Sequence, residues 1–374
     1  MKILLVSEYF YPHWTGIAKA FLTIANELKK THRISVLTTR FDTHLEKTEK
    51  VGNINIYRIP YLIRVARTHY SPQTILRAVT HIKNNDSIII NSPHSNVLPI
   101  AIITKILRKK LYIFHQGDLV LPRQSGNQFL NRVIEKIFDL MTIPALFLAD
   151  RVSTYTKDYA QHSRVMHFFL HKFVPYIPPV SLRSGELQPS LKKKLDALKK
   201  THQLIGFAGR FVEEKGFDIL LDAISKVIEK IHQAHFVFAG SQKMDYEPFF
   251  EICEKRVKKN RRHLTFLGLL KKGDLSYFYK NLDLFVIPSR SDCFPLTQIE
   301  AVLSGIPVVT TDIPGARVLV KKTGFGKLSA PENAVDFARQ IIWVLENREQ
   351  LLKNQSKAKQ FLKDGAKNTF LPGP

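Results

Sequence analysis

Short apolar runs alternate with amphipathic stretches along most of this chain, and that alternation limits what it can fold into. "KILLVS" at 2–7 has a strand pattern, and "IAKAFLTIANELKK" behind it puts Ile17, Phe21, Ile24, Ala25 and Leu28 on one helical stripe. "RISVLTT", "INIYRIP", "SIIINS", "LYIFHQ" and "RVSTYT" supply further strands in the first half. Strands spaced by helices predict a parallel sheet covered on both faces. "FVPYIPPVSLRSGELQPS", with Pro175, Pro178, Pro179 and Pro189, reads as an extended linker, which puts a domain boundary near 180. The pattern then resumes. "LIGFAG", "HFVFAG", "LTFLG", "LFVIPS" and "PVVTT" are strand candidates, and "GFDILLDAISKVIEKI" and "NAVDFARQIIWVLEN" are amphipathic helices. The expectation is two α/β domains, 1–180 and 181–355, with a tail at 356–374. A chain of 374 residues can bury two such cores.

Cys253 and Cys293 are the two cysteines and form no C-x-x-C, so neither a disulfide framework nor a cysteine zinc site is expected. "MKILLVSEYF" reads as a first strand rather than a signal peptide, and the location expected is cytoplasmic. "LMTIPALFLA" at 140–149 is far below the ~20 apolar residues a membrane span needs. It reads as a buried helix.

The net charge of +24 is the unusual quantity. Residues 1–180 hold 24 Lys and Arg against 11 Asp and Glu, and the remainder 32 against 21, so the excess is global. One region is extreme. Between Glu49 and Asp118 the sole acid is Asp86, while Lys50, Arg58, Arg64, Arg67, Arg77, Lys83, Lys105, Arg108, Lys109 and Lys110 are basic. Such a face attracts phosphorylated substrates, anionic lipid or nucleic acid, or serves solubility alone. No helix-turn-helix or RNA-binding signature appears, and no nucleic-acid partner is expected.

Two stretches carry candidate chemistry. In "GFAGRFVEEKGFDILLDAI", a strand-to-helix loop holds Arg210, Lys215 and Gly216, a pattern suited to clamping a diphosphate. Glu213 and Glu214 in the same loop leave a surface ion-pair network as the alternative. In "SRSDCFPLTQIEAVLSGIPVV", Pro295 suits the first turn of a helix, which leaves Asp292 in the loop before it and Glu300 inside. Leu296, Ile299, Ala301, Val302 and Leu303 surround Glu300 with apolar positions, so its carboxylate needs a partner. A vicinal diol of a ligand is one such partner and a core Arg or Lys another. There is no Walker loop, no G-x-G-x-x-G and no D-x-D.

The "GR…KG" pair, the Asp292-to-Glu300 spacing and "SGIPVVTTDIPGAR" resemble retaining glycosyltransferase family 4, of the GT-B fold. "EYFYPHWTGIAKAFLTIANELKKTHRISVLTTR" resembles that family's glycine loop, first helix and second strand. "ADRVSTYTKDYA" resembles its last N-domain strand. The resemblance implies two Rossmann-like parallel-sheet domains facing a central cleft, the first for the acceptor and the second for a nucleotide-sugar. It implies that Arg210 and Lys215 hold the donor diphosphate, Glu300 the ribose and Asp292 the sugar hydroxyls. Phe294, Pro295 and Leu296 supply the chain beside sugar and phosphate, Leu269 lies by the nucleobase, and Gly16 approaches the phosphate. His115 in "FHQGD" matches the histidine beside the donor sugar, with Asp118 nearby. Asp292 stands where the family usually has Glu, and Thr15 where it has the first glycine of a pair.

The expected activity is transfer of a sugar from a nucleoside-diphosphate sugar to an acceptor hydroxyl, with retention and without a metal or cofactor. His115, Asp292, Arg210 and Lys215 are the expected catalytic group. A glycan or lipid-linked acceptor and an anionic membrane surface docked by the basic first domain are the expected partners, with "VLPIAIITKILRKK" as an amphipathic helix there. The setting is glycan or glycolipid synthesis. An epimerase or hydrolase on the same fold and a polyanion-binding module are the alternatives.

Overall fold

The computed structural model describes residues 1–374 apart from 14, 66–67, 125, 183–184, 243, 245–246, 368–369, 372–374 and the side chains of Val65 and Lys272. Arg67 of the basic stretch and the last residues of the tail lie outside the described residues. The chain divides into two compact units. Unit 1 comprises 1–121, 129–179 and 365–374; unit 2 comprises 122–128 and 180–364.

Unit 1 holds β1 Lys2–Ser7, β2 Arg33–Thr39, β3 Thr48–Val51, β4 Ile54–Ile59, β5 Ile63–Val65, β6 Thr68–Tyr70, β7 Ser87–Ser92, β8 Lys110–His115, β9 Arg151–Thr154 and β10 Phe173–Pro175. Eight of them form one sheet in the order β10-β9-β8-β7-β1-β2-β4-β3, and β5 and β6 pair as a hairpin. All the neighbours in that sheet run parallel except β3, an antiparallel edge. The helices include α1 Gly16–Leu28, α2 Pro72–Lys83, α3 Val97–Ile106 and α4 Gln128–Leu148. The apolar stripe read for α1 is the face it buries: Phe21, Ile24, Ala25 and Leu28 are all in the core. In β7, Ile88, Ile89 and Ile90 are buried in succession, the mark of a strand covered on both faces.

Two expectations change. β10 forms within the stretch read as linker and pairs with β9, because Phe173 and Val174 precede the prolines and can still join an edge. The 140–149 run is not a buried helix. It ends α4, which buries Thr142, Ala145 and Leu146 and leaves Leu140 and Phe147 exposed, since the helical period lets one face alone reach the core.

Unit 2 holds β11 Gln203–Ala208, β12 Ala234–Ala239, β13 Leu264–Gly268, β14 Leu284–Ile287, β15 Val308–Thr311 and β16 Gly326–Ser329. The sheet is all parallel in the order β13-β12-β11-β14-β15-β16. Chain order reverses between β11 and β14, which pair directly through Ile205–Leu284 and Gly206–Phe285. The core beneath includes an aromatic group in which Phe211 and Phe217 meet edge to face at 4.6 Å. After the helix Gln355–Gly365 the chain returns to unit 1. There Ile177 N–H donates to the Gly365 carbonyl at 3.1 Å, and Phe370 packs between Tyr112, Phe114 and Tyr176.

Candidate active site

In open parallel sheets, ligands bind beyond the carboxyl ends of the strands where strand order reverses. In unit 2 that place lies between the loops after β11 and after β14. The first carries Arg210 and Lys215; the second carries Asp292.

The β11 loop is fastened at both ends by buried rings, Phe211 just after Arg210 and Phe217 at the start of the helix Phe217–Lys230. Gly216 between them takes φ 64°, and a Cβ there would come within 1.9 Å of the Pro288 carbonyl oxygen. The two loops therefore touch, and only glycine allows it. Lys215 Nζ lies 2.7 Å from Asp292 Oδ2 and 3.3 Å from Glu214 Oε1. Burial works against the lysine's charge, but Asp292 and Glu214 outweigh it and hold the ammonium well above the usual lysine range. Burial pushes the Asp292 carboxyl up, and Lys215 opposes that shift.

Asp292 also accepts the Phe294 amide. Phe294 is buried, and Pro295 caps the helix Leu296–Leu303 from just outside rather than within its first turn. Gly315, at φ 86°, presses the following turn onto this loop; a Cβ there would meet the Cys293 carbonyl oxygen at 2.0 Å. Glu300 is 2% exposed, and its Oε2 accepts a 2.8 Å hydrogen bond from the Tyr279 hydroxyl. The carboxylate's partner includes a tyrosine, where the sequence suggested a core cation or a ligand. Leu269 follows β13 and is exposed.

Arg290, not singled out from the sequence, organises the site. Its guanidinium meets Asp218 through two bonds of 2.7 and 2.8 Å, donates to the Glu213 carbonyl at 2.8 Å and reaches Glu332 at 2.7 Å. Its backbone N–H donates to the Glu214 carbonyl at 2.8 Å. It thus ties the β11 loop to the β14 loop beside Lys215. Glu213 is buried and accepts the Arg123 and Gln124 amides at 2.9 and 2.8 Å, which fastens Arg123 and Gln124 to the β11 loop. The signal for Arg290 was its place two residues before Asp292.

In unit 1, Gly16 is the first residue of α1, and Thr15 is its N-cap, accepting from Ala18 N–H at 3.4 Å. Here the threonine in the family's glycine position has a helix to hold. His115 ends β8 and is 1% exposed. Nδ1 lies 3.1 Å from Ser92 Oγ and Nε2 lies 3.0 Å from Asp118 Oδ1. Burial raises the Asp118 pKa, but His115, Ser163 and the Arg164 amide outweigh it and bring it down to about 2. Among the described residues, no group of three His, Cys, Asp or Glu side chains stands ready to hold a metal, and no helix is long and apolar enough to cross a membrane.

Residues 190–361, most of unit 2, match the family model described as glycosyl transferases group 1. Unit 2 is a group 1 glycosyltransferase domain. The whole chain is 24% identical to an uncharacterized glycosyltransferase of Methanocaldococcus jannaschii, over 97% of this chain and 93% of that one. It is 23% identical to the alpha-monoglucosyldiacylglycerol synthase of Streptococcus pneumoniae, over 92% of this chain and 78% of that one. Among solved structures, Anabaena HepE in complex with UDP and glucose aligns with a TM-score of 0.75 at 17% identity, covering 97% of this chain and 95% of that one. The fold of this glycosyltransferase is GT-B, two Rossmann-like units, and glycosyl transfer is the activity the matches support.

Proposed function

We propose that this glycosyltransferase transfers a sugar, with retention, from a nucleoside-diphosphate sugar to the hydroxyl of a glycan or lipid-linked acceptor. The observation that carries the reading is the contact between the β11 and β14 loops at the strand-order reversal of unit 2. The solved HepE complexes with UDP, with UDP and glucose and with UDP-glucose add weight to a nucleotide-sugar donor. In this reading Arg210 and Lys215 take the diphosphate, helped by the start of the helix Leu296–Leu303. Asp292 takes sugar hydroxyls. Glu300, oriented by Tyr279, takes the ribose. Leu269 lies beside the base.

The chemistry breaks the bond from the anomeric carbon to the leaving phosphate oxygen. A new bond to the acceptor oxygen forms on the same face, and the acceptor's proton passes to the leaving diphosphate. Charge grows on that diphosphate in the transition state, so fixed cations beside it lower the barrier. Arg210 and Lys215 supply that charge themselves, and the reading assigns no step to a metal or cofactor. The carboxylates position the donor rather than attack it.

The test is a thermal-shift panel of UDP-, GDP- and ADP-sugars. A selective shift that Arg210→Ala removes is expected. No shift with any of them sinks the reading. NMR of the product's anomeric centre then decides retention.

An anionic bilayer is the proposed resting surface. Phe129, Leu140 and Phe147 are 78%, 72% and 74% exposed, and their spacing puts them on one face of α4. Exposed Arg132 and Lys136 lie along the same helix, and α3 exposes Ile102 and Ile106 near Lys105. Apolar side chains with a basic fringe suit anionic headgroups over acyl chains. Flotation with phosphatidylglycerol vesicles is expected, and weak binding by Leu140→Glu. Equal binding to neutral vesicles, or none, overturns this part.

A further inference from the structure

A second charged site lies in unit 1, at the amino edge of its sheet. A concavity of about 590 Å³ is lined there by Lys2, Lys29, Arg33, Lys50, Tyr57 and His81, among others. Strand register explains why these groups converge. Lys2 of β1 is the register partner of Arg33 of β2; Ser35 of β2 partners Asn55 of β4; Asn55 partners Lys50 of β3. Alternate residues of a strand share a face, so Lys2, Arg33, Ser35, Asn55, Tyr57 and Lys50 occupy one face of the sheet. A parallel sheet covered on both sides is apolar throughout. This corner is polar and open instead, with Lys2, Arg33, Lys50 and Asn55 exposed.

The charges are unbalanced. Like charges at cross-strand partner positions are destabilising, yet Lys2 and Arg33 are such partners. Among the described residues, the side chains of Lys2, Lys29, Arg33 and Lys50 have no carboxylate partner, and no Asp or Glu lines the concavity. Asp86 stands nearby, and its Oδ2 accepts the Lys2 backbone N–H at 2.7 Å. The carboxyl ends of α1 and α2 also face this edge, since Lys29 follows one and Asn84 the other. Each helix end contributes roughly half a negative charge. Four cations exceed Asp86 and both helix ends together by about two charges. One wall adds a ring pair, Tyr57 and His81, with centroids 4.3 Å apart. Burial and Arg77 lower the His81 pKa, which favours a neutral ring there.

We propose that this concavity binds a phosphate-bearing ligand. The residual charge matches a phosphate dianion, and the ring wall suits a ring attached to it. The site lies on a different unit, and at the opposite end of its strands, from the carboxyl-end loops assigned to the sugar donor in unit 2. It does not rest on that assignment. The phosphate belongs either to a free small molecule or to a lipid headgroup.

The experiment is calorimetry with inorganic pyrophosphate on the full chain carrying Arg210→Ala and Lys215→Ala, which removes the proposed donor clamp from the signal. Saturable binding at one site is expected, weakened about tenfold or more by adding Arg33→Ala with Lys50→Ala, the scale of losing two charge-assisted contacts. Lys29→Ala, on the segment after α1, is the second variant and is expected to weaken binding without lowering the melting temperature. Flotation with phosphatidylglycerol vesicles on a Leu140→Glu background separates the sources. Pocket-dependent flotation with silent pyrophosphate calorimetry supports a lipid phosphate, and pocket-dependent calorimetry supports a free one. If the pocket variants leave both measurements unchanged, the proposal fails.

Discussion

Lys215 Nζ and Asp292 Oδ2 stand 2.7 Å apart and join the loop after β11 to the loop after β14. Their side chains are 22% and 11% exposed, so each is a largely buried charge that depends on the other. Removing one partner of such a pair costs about 3–5 kcal/mol, whereas removing both costs much less. Lys215→Met is therefore expected to lower denaturant stability by about 3 kcal/mol, and Lys215→Met with Asp292→Asn to recover most of it. Donor affinity separates function from fold. Both the single and the double variant should lose roughly 10–100-fold in nucleotide-sugar binding, because the diphosphate loses a charge-assisted contact in each. A double variant with native affinity assigns the pair to structure alone.

Arg290 makes a different prediction, because its guanidinium bonds Asp218, the Glu213 carbonyl and Glu332 and so ties the loops together. Asp218 is buried and receives two guanidinium bonds, while Glu332 is 58% exposed and contributes little. Arg290→Ala leaves Asp218 unpaired and frees the 213–218 turn. The expected cost is about 3 kcal/mol of stability, with KM for the donor rising more than kcat falls. Arg290→Lys restores a charge but not the two-pronged geometry, and recovers only part of either. Steady-state kinetics beside urea melts checks this. A fall in kcat alone places Arg290 in the chemical step instead.

Tyr279→Phe tests the partner of Glu300. The ring is fully buried, and the lost hydroxyl would leave the Glu300 carboxylate one hydrogen bond short. Bonds to charged groups contribute about 1.5–3 kcal/mol, so a stability loss of that size is expected. If Glu300 holds the ribose, the variant should discriminate less strongly against a 2′-deoxy donor, as the carboxylate is no longer held in one orientation. Competition binding of ribo- and deoxyribonucleotides measures it. Unchanged discrimination detaches Glu300 from the ribose.

Much of the architecture was legible in the residues, for physical reasons. A fully buried parallel strand must be apolar throughout, and a helix resting on it must be apolar on one stripe; "SIIINS" and "IAKAFLTIANEL" announce both. What escaped was set by pairing across long separations. β10 was masked by Pro175, its last residue, and by the prolines after it, and β16 by a mixed "GKLS" that gains its place as a strand from the edge offered by β15. In the candidate site, Lys215 and Asp292 were visible as residue types in loops. Arg290 and Tyr279 were not, since an arginine and a tyrosine acquire meaning only when Asp218 and Glu300 are brought to them. His115 was legible as a position at a strand end, but not its closed network with Ser92 and Asp118.

His94, in the loop after β7, sets a pH dependence. It is buried, its Nδ1 accepts the Asn96 amide at 2.9 Å, and burial brings its pKa from 6.5 down to about 4. The folded chain thus binds this proton less readily than the unfolded chain. Where the unfolded state binds more protons, stability falls as pH falls. The contribution of His94 is therefore complete above pH 6.5 and is lost between pH 6.5 and about 4. At about 1.4 kcal/mol per pKa unit, the loss is on the order of 3 kcal/mol. His235 in unit 2 is lowered to about 4 as well, chiefly by burial, and adds its own slope. His94→Asn removes one titration and keeps an acceptor for the Asn96 amide, as an Asx turn. Denaturant melts across that pH range should show a shallower acid loss in His94→Asn, by up to the His94 share, and an unchanged stability above it. An identical acid slope in both proteins means that His94 is protonated without cost, and that the loop after β7 opens to water before the unit unfolds.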